Sequence, residues 1–429
     1  MDALDARVED GVALTQIALN GNGKLLFNDR PSRAHVVALC DALATDDVVE
    51  RLDLSYNFID DDGAVAIARM LRRNRTLTEL DLRGNDVGPA GAAALAEALA
   101  GVPWVEEEEE EEEGAEGADD AVEEDGAEEE PAAEAAAADE NEDPAAAAAA
   151  AEAEPPAKPS PPPVAGCSLV TLNLAGNPLG VDGGVAIGES LRSNTTLIDL
   201  NLNDCSLDAK ALIAVLTAVN ESNATLRRLS LENPRIFSEQ EEHAWHAARM
   251  LAVNKTLKSL RCGKWKIYST GVEVLAGYGV CVNESLEVLD LRCNKICEVG
   301  GAFLARIIRD NEGLRRIGLD ANALRDNGAI AIADAMPECA SVAEFDLRSN
   351  GIEDAGLCAL ARGVAGMPSP PAEVLLWGNH FAEASSIAWR DVLEYHDIVT
   401  DVTFRVVDGE LQAARVEPPA PSRESWGLT

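Results

Sequence analysis

Nine cysteines and five histidines are the side chains of this 429-residue chain best suited to metal or nucleophile chemistry, and their spacing does not gather them. No CxxC pair occurs. Cys293-x3-Cys297 is the tightest spacing, and a zinc site there would need further ligands that five scattered histidines do not supply. An odd, irregularly spaced set of cysteines is expected to be reduced and structural. The sequence holds no P-loop, GxSxG or HExxH pattern. The expectation is therefore no catalytic residue, no metal, no cofactor and no enzyme. What remains is the chemistry of recognition, and arginine and tryptophan are the types that dominate interfaces. The candidate set for binding a protein is Arg83, Asp290, Arg292, Asp346, Arg348, Leu375 and Trp377, because one repeating element is expected to set all seven on one face.

That element is clearest at Glu287–Leu314. Leu289-x-Leu291-x-x-Asn294-x-Ile296 reads as a short strand and a turn closed by an Asn side chain. Gly300-x-x-x-Leu304-x-x-x-Ile308 is an apolar stripe at helical spacing, and Asn311-x-x-Leu314 returns the chain to the next strand. The pattern recurs with its turn position at Asn22, Asn57, Asn85, Asn177, Cys205, Pro234, Trp265, Asn294, Asn322, Asn350 and Asn379. Most steps are 28 to 31 residues; the first is 35 and that from Asn85 to Asn177 is 92. Strand, turn, helix and return in about 28 residues is a leucine-rich repeat. One unit buries too little to offset the ordering of its own backbone, so units must stack and cover each other's leucines. The fold expected is an α/β leucine-rich repeat solenoid, a horseshoe with one parallel sheet on the concave face and helices on the convex face. Cys205, Pro234 and Trp265 read as degenerate turns, with local distortion expected at the last two. Side chains alternate along a strand, so residues two, four and six before the turn position should face the concave surface. Arg83, Arg292, Arg348 and Trp377 hold the first of these places, and Asp290, Asp346 and Leu375 the second.

The formal charge is −41, and it is unevenly placed. Val105 to Ala165 carries 24 acidic residues against one lysine, so it supplies −23 of that total. With its Glu106–Glu113 run, Ala tract and Pro-rich end, it is expected to be disordered. Excising about 64 residues restores the 28-residue step, so the segment should leave the solenoid from a helix-to-strand loop. The organisation expected is residues 1–101 as N-terminal repeats, 102–165 as the insert and 166–397 as the continuing repeats. Residues 398–416 should form a β-hairpin cap around Asp408-Gly409, and 417–429 a loose tail. The acidic N-terminus lacks an apolar signal segment, and no run of about 18 apolar residues suggests a membrane span. Sequons at Asn74, Asn194, Asn254 and Asn283 recur at one repeat position, which suits a structural role better than glycans. The expected location is inside the cell and not the exterior. Acidity disfavours nucleic acid. The insert is suited to basic proteins and equally to a solubilising spacer.

The long units with G-x-x-x-L helices resemble the ribonuclease-inhibitor type of leucine-rich repeat, the class of the ribonuclease inhibitor, the Ran GTPase-activating protein and the repeat regions of NOD-like receptors. Leu376-Trp377-Gly378-Asn379-His380-Phe381, Thr400-Asp401-Val402 and Phe404-Arg405-Val406-Val407-Asp408-Gly409 resemble the ending of the leucine-rich repeat-containing protein 34 family. The acidic insert is no part of that pattern. The resemblance implies a non-catalytic interaction protein in the cytoplasm, with the nucleus or nucleolus as alternatives. The strand alternation adds the expectation of a monomer docking a protein partner on its concave face. The alternative is a small-GTPase regulator resembling the Ran activator, for which Arg83 and Arg292 would be the available arginines.

Overall fold

The computed structural model describes residues 15–23, 30–103 and 167–417. The acidic insert, the tail beyond residue 417 and the N-terminal stretch, on which several of these expectations rest, lie outside the described residues. Eleven three-residue strands form one parallel sheet in chain order. They are β1 Gln16–Ala18, β2 Arg51–Asp53, β3 Glu79–Asp81, β4 Thr171–Asn173, β5 Asp199–Asn201, β6 Arg228–Ser230, β7 Ser259–Arg261, β8 Val288–Asp290, β9 Arg316–Gly318, β10 Glu344–Asp346 and β11 Glu373–Leu375. A helix follows each strand, which is the repeating strand–helix unit of a leucine-rich repeat solenoid. β3 and β4 pair in register, Leu80 opposite Leu172, although the acidic segment separates them in sequence.

The core is a column of strand-centre side chains, Leu52, Leu80, Leu172, Leu200, Leu229, Leu260, Leu289, Ile317, Phe345 and Val374, all buried against the helices. The residue before each turn position is left-handed from Tyr56 (φ 60°) to Gly378 (φ 85°). The turn Asn then works as a two-way clamp. Asn294 Nδ2 donates to Leu291 O in its own repeat (2.8 Å) and to Cys262 O in the one before (3.0 Å), while its Oδ1 accepts from Ile267 N (3.1 Å). Backbone groups that a tight turn leaves unpaired are thereby satisfied without water.

The degenerate turns correct the expectation of distortion. Asn233 (φ 59°) and Lys264 (φ 58°), which precede Pro234 and Trp265, keep the left-handed conformation. Trp265 is fully buried, and its Nε1–H donates to Leu231 O at 2.7 Å, the acceptor an Asn there would use. Cys205 does the same with its thiol, donating to Leu174 O at 3.1 Å. Only Pro234 brings no donor. The irregularity lies instead in the next helix. Ser269–Val274 gives way to a π-turn at Leu275–Gly279 and a 3-10 turn at Val280–Val282. The Gly279 backbone lies so close to its neighbour that a Cβ would sit 2.8 Å from Ala248 Cα.

A second Asn column runs along the helix ends. The Nδ2 of Asn74, Asn194, Asn223, Asn254, Asn283 and Asn311 each donates to a carbonyl of the preceding repeat. All six are buried, so the four sequon asparagines named above are occupied by backbone. Helix starts are also capped across repeats. Asp61 Oδ1 accepts from Gly88 N (2.7 Å) and Gly91 N (2.9 Å), and Asp326 Oδ1 from Glu353 N (2.7 Å) and Gly356 N (3.1 Å). These acids sit at helix N-termini, where carboxylates are favoured.

After the last helix, Glu383–Tyr395, the chain closes the sheet edge. Val374 N donates to Val399 O at 2.9 Å, and Asp401 Oδ1 accepts from Leu376 N (2.8 Å) and Trp377 N (3.1 Å). A two-stranded antiparallel hairpin follows, β12 Val402–Val407 and β13 Glu410–Arg415. Asp408 (φ 53°) and Gly409 (φ 89°) are both left-handed at its tip, the signature of a type I′ turn. Phe404 packs edge-on against Phe381 at 5.6 Å. No helix among the described residues is long and apolar enough to cross a membrane.

Candidate functional site

Three rows of side chains face away from the helices on the open side of the sheet. They come from the positions two, four and six before each turn residue, and the seven candidates divide cleanly between two of them. Arg83, Arg292, Arg348 and Trp377 all lie in the row two before the turn, and all present surface. The arginine side chains are 41%, 41% and 34% exposed, and Trp377 is 36% exposed. Asp290, Asp346 and Leu375 lie in the row four before the turn and are buried, at 1%, 5% and 5% exposure. The seven therefore do not form one contact surface. Asp290, Asp346 and Leu375 are floor.

Electrostatics explain the covering. Arg348 folds onto Asp346 with two parallel hydrogen bonds, Nε to Oδ1 at 2.8 Å and Nη2 to Oδ2 at 2.5 Å. The forked guanidinium suits a carboxylate better than any other cation, and this pairing raises the Arg348 pKa further above its ordinary range. Arg292 takes Asp290 Oδ1 through its backbone N–H at 3.0 Å, and its Nη2 crosses a whole repeat to Glu232 Oε2 at 2.5 Å. The repeat it crosses carries Gly263 in that row. A Cβ at Gly263 would lie 3.2 Å from Arg292 Cγ and 3.3 Å from Glu232 Cδ, so the glycine leaves the passage the ion pair uses. Burial pushes the Asp290 carboxyl up to about 6, against the pull of Arg292. Arg83 is looser, 3.6 Å from Asp81 and over the Tyr56 ring at 5.6 Å.

Glu232, Arg261 and Arg316 complete this charged floor and were not among the candidates. Arg261 and Arg316 are buried, and Arg316 pairs with Glu344 in the next repeat and reaches Glu373 two repeats on at 3.7 Å. The same two–four–six spacing finds all three: Glu232 and Arg261 in the degenerate repeats of Pro234 and Trp265, whose turn residues disguise the register, and Arg316 six before the regular turn Asn322. Chemically the face offers carboxylates and guanidiniums paired with one another.

The cysteines are all unpaired thiols. Cys293 is half-buried and Cys297 exposed. Cys297 stands at the start of helix Glu298–Asp310, 3.2 Å from Ser269 Oγ, and that hydrogen bond lowers its pKa. Among the described residues no group of three His, Cys, Asp or Glu side chains could hold a metal ion.

The family described as Leucine Rich repeat matches residues 48–68, 73–96, 167–188, 282–305 and 338–361. Mouse leucine-rich repeat-containing protein 34 is 25% identical over 261 residues, covering 53% of this chain and 55% of that protein. The human protein of that name is 27% identical over 235 residues, covering 47% and 44%. The chain thus spans about half the length of these two curated relatives. Pig ribonuclease inhibitor is 26% identical over 348 residues, covering 74% of this chain and 68% of its own. With the repeated strand–turn–helix unit and the single eleven-stranded parallel sheet, these matches identify the chain as a leucine-rich repeat protein of the type that leucine-rich repeat-containing protein 34 and the ribonuclease inhibitor share.

Proposed function

We propose that the protein is a non-catalytic scaffold that docks a protein partner on the open face of its sheet. One observation carries the reading: the row two before the turn keeps Arg83, Arg292, Arg348 and Trp377 exposed above a floor of paired charges. Exposed arginine and tryptophan are the types that interface hot spots are made of; Arg292, Arg348 and Trp377 lie near one end of the row, and Ala175, Asn203, Glu232 and Gly263 separate Arg83 from them. The floor fixes the arginine geometry before a partner arrives, which lowers the ordering cost of binding. Nothing on this face favours a GTPase regulator. Nine unpaired thiols and buried sequon asparagines support a reducing compartment, the cytoplasm or nucleus.

The test is affinity capture followed by mass spectrometry, with wild type beside Arg83→Glu and Trp377→Ala. One captured protein should be lost from both variants while their melting temperatures hold. Capture that is indifferent to both changes overturns the reading. The acidic segment 106–165 is proposed as a second, electrostatic element that holds basic proteins. Its binding should weaken steeply as salt rises past ~0.15 M, where the screening length is about 8 Å, and salt-independent binding would reject it.

A further inference from the structure

The C-terminal hairpin has an edge that nothing among the described residues closes. The hydrogen bond from Val416 N to Asp401 O (2.8 Å) fixes the parity of the ladder. With the register Thr403↔Ala414, Arg405↔Gln412 and Val407↔Glu410, the bonded pairs alternate with unbonded ones. Leu411, Ala413 and Arg415 therefore turn their backbone N–H and C=O away from β12. Among the described residues nothing bonds to the outward backbone of Leu411 or Ala413. This contrasts with β11, whose edge is closed by Val399 and the Asp401 carboxylate. Natural edge strands are usually blunted by charge or proline; β13 carries charge only at its ends, Glu410 and Arg415, and the Leu411-Gln412-Ala413-Ala414 between them carries neither.

The open edge borders a groove of about 490 Å³. Leu411 and Ala413 form one wall, Trp377 and Phe381 the other, and Glu383 and Glu410 supply its only formal charges; no lysine or arginine lines it. Unpaired strand backbone, an indole and two carboxylates thus converge on one slot.

We propose that this slot takes an extended, cationic peptide segment of a protein partner, which adds to β13 as a third strand and sets an apolar side chain against Trp377. Main-chain bonds to Leu411 and Ala413 hold such a strand, and the side-chain pockets select it. Glu383 and Glu410 select lysine or arginine at its ends. A second copy of this hairpin is the less suitable occupant, because it would bring the same carboxylates together in a chain already at −41. The inference rests on the scaffold reading and shares Trp377 with it, but none of Arg83, Arg292 and Arg348 lines this groove.

The experiment uses the full chain and two fluorescein-labelled synthetic peptides, one alternating valine with lysine and its twin alternating valine with glutamate. Anisotropy measures binding, and NMR hydrogen exchange reads individual amides. The lysine peptide should bind saturably and slow exchange at Leu411 and Ala413, whereas Gln412 and Ala414 should be slow from the start. Ala413→Pro removes an outward N–H and no hairpin bond, and should weaken binding at least tenfold. The double variant Glu383→Lys/Glu410→Lys leaves the backbone intact and should reverse the preference to the glutamate peptide, so the inference stays testable if the proline variant misfolds. Equal binding of both peptides, unchanged exchange at Leu411 and Ala413 on saturation, or self-association through β13 in place of peptide binding would each overturn it. Arg83→Glu should leave peptide binding unchanged. If the peptide fails while Arg83→Glu still abolishes partner capture, strand addition falls and the scaffold reading stands.

Discussion

Asn311→Ala tests whether the helix-end asparagines hold the stack together. Asn311 is buried, and its side chain serves four backbone groups. Nδ2 donates to Val280 O at 2.6 Å and Asn283 O at 2.8 Å, both in the preceding repeat. Oδ1 accepts from Gly313 N at 2.9 Å and Leu314 N at 2.6 Å, in the return to β9. A typical intramolecular hydrogen bond contributes about 0.5–1.5 kcal/mol net, so the four together are worth roughly 2–6 kcal/mol. The upper half of that range is expected, because truncation to alanine leaves Asn283 O in a buried seam without a donor and Val280 O with only the Asn283 N–H at 3.2 Å, and orphaned groups cost more than lost bonds return.

Asn311→Asp sharpens the test. It keeps the shape and the Oδ1 acceptor but replaces two donors with a carboxylate oxygen facing two carbonyls. At pH 7 it should be worse than alanine. Its folded-state pKa must then lie above the unfolded value near 4, so the deficit relative to alanine should shrink as pH falls through that folded value. Urea unfolding followed by circular dichroism gives the free energies. Exchange at the Leu314 amide reports the local loss, which matters because solenoids need not unfold in one step. A cost for Asn311→Ala below about 1 kcal/mol, with Asp no worse than Ala, would refute the ladder argument.

Three further outcomes are expected. Trp265→Ala should cost roughly 3–5 kcal/mol for the cavity and about 1 more for the lost bond to Leu231 O, whereas Trp265→Phe should forfeit mainly the latter; urea midpoints distinguish them. Burial holds the His243 imidazole below its ordinary pKa, so its contribution to stability is present above about pH 6.5 and is lost as pH falls below that. His243→Phe should flatten the decline by up to about 1.4 kcal/mol per pH unit, read from melting curves at pH 7.5 and 5.5. Deleting residues 106–165 should leave cooperative melting intact, because β3 pairs directly with β4 and Asn194 Nδ2 reaches Leu99 O at 2.9 Å across the segment; a large fall in melting temperature would reject this.

The fold was legible because its two periods are written in side chains. Leucines two apart demand a strand face, and an Asn every 28 to 31 residues marks a turn that only a carboxamide closes well. Trp265 shows where such reading stops. An indole does not look like a carboxamide, yet its one N–H reaches the same carbonyl. The register places Trp265 in the column, but its residue type suggests a distortion that the preserved donor removes.

The candidate site was legible as a face but not as a surface. Strand alternation says which way Asp290, Asp346 and Leu375 point, and they do point away from the helices. Exposure depends instead on what the neighbouring row does. Arg348 lies down on Asp346, and Arg292 spans a repeat to Glu232 over Gly263. Neither event has a sequence period, because each is set by side-chain reach and by one missing Cβ. Leu375 is buried at the end of the stack, beside the only strand edge that the chain closes with the Asp401 side chain. Trp377, two residues on, has its backbone N–H tied to that same Asp401 while its ring stays exposed. The segment that ends the sheet therefore fixes the tryptophan without covering it, and this is why an exposed indole and a structural cap can share one neighbourhood.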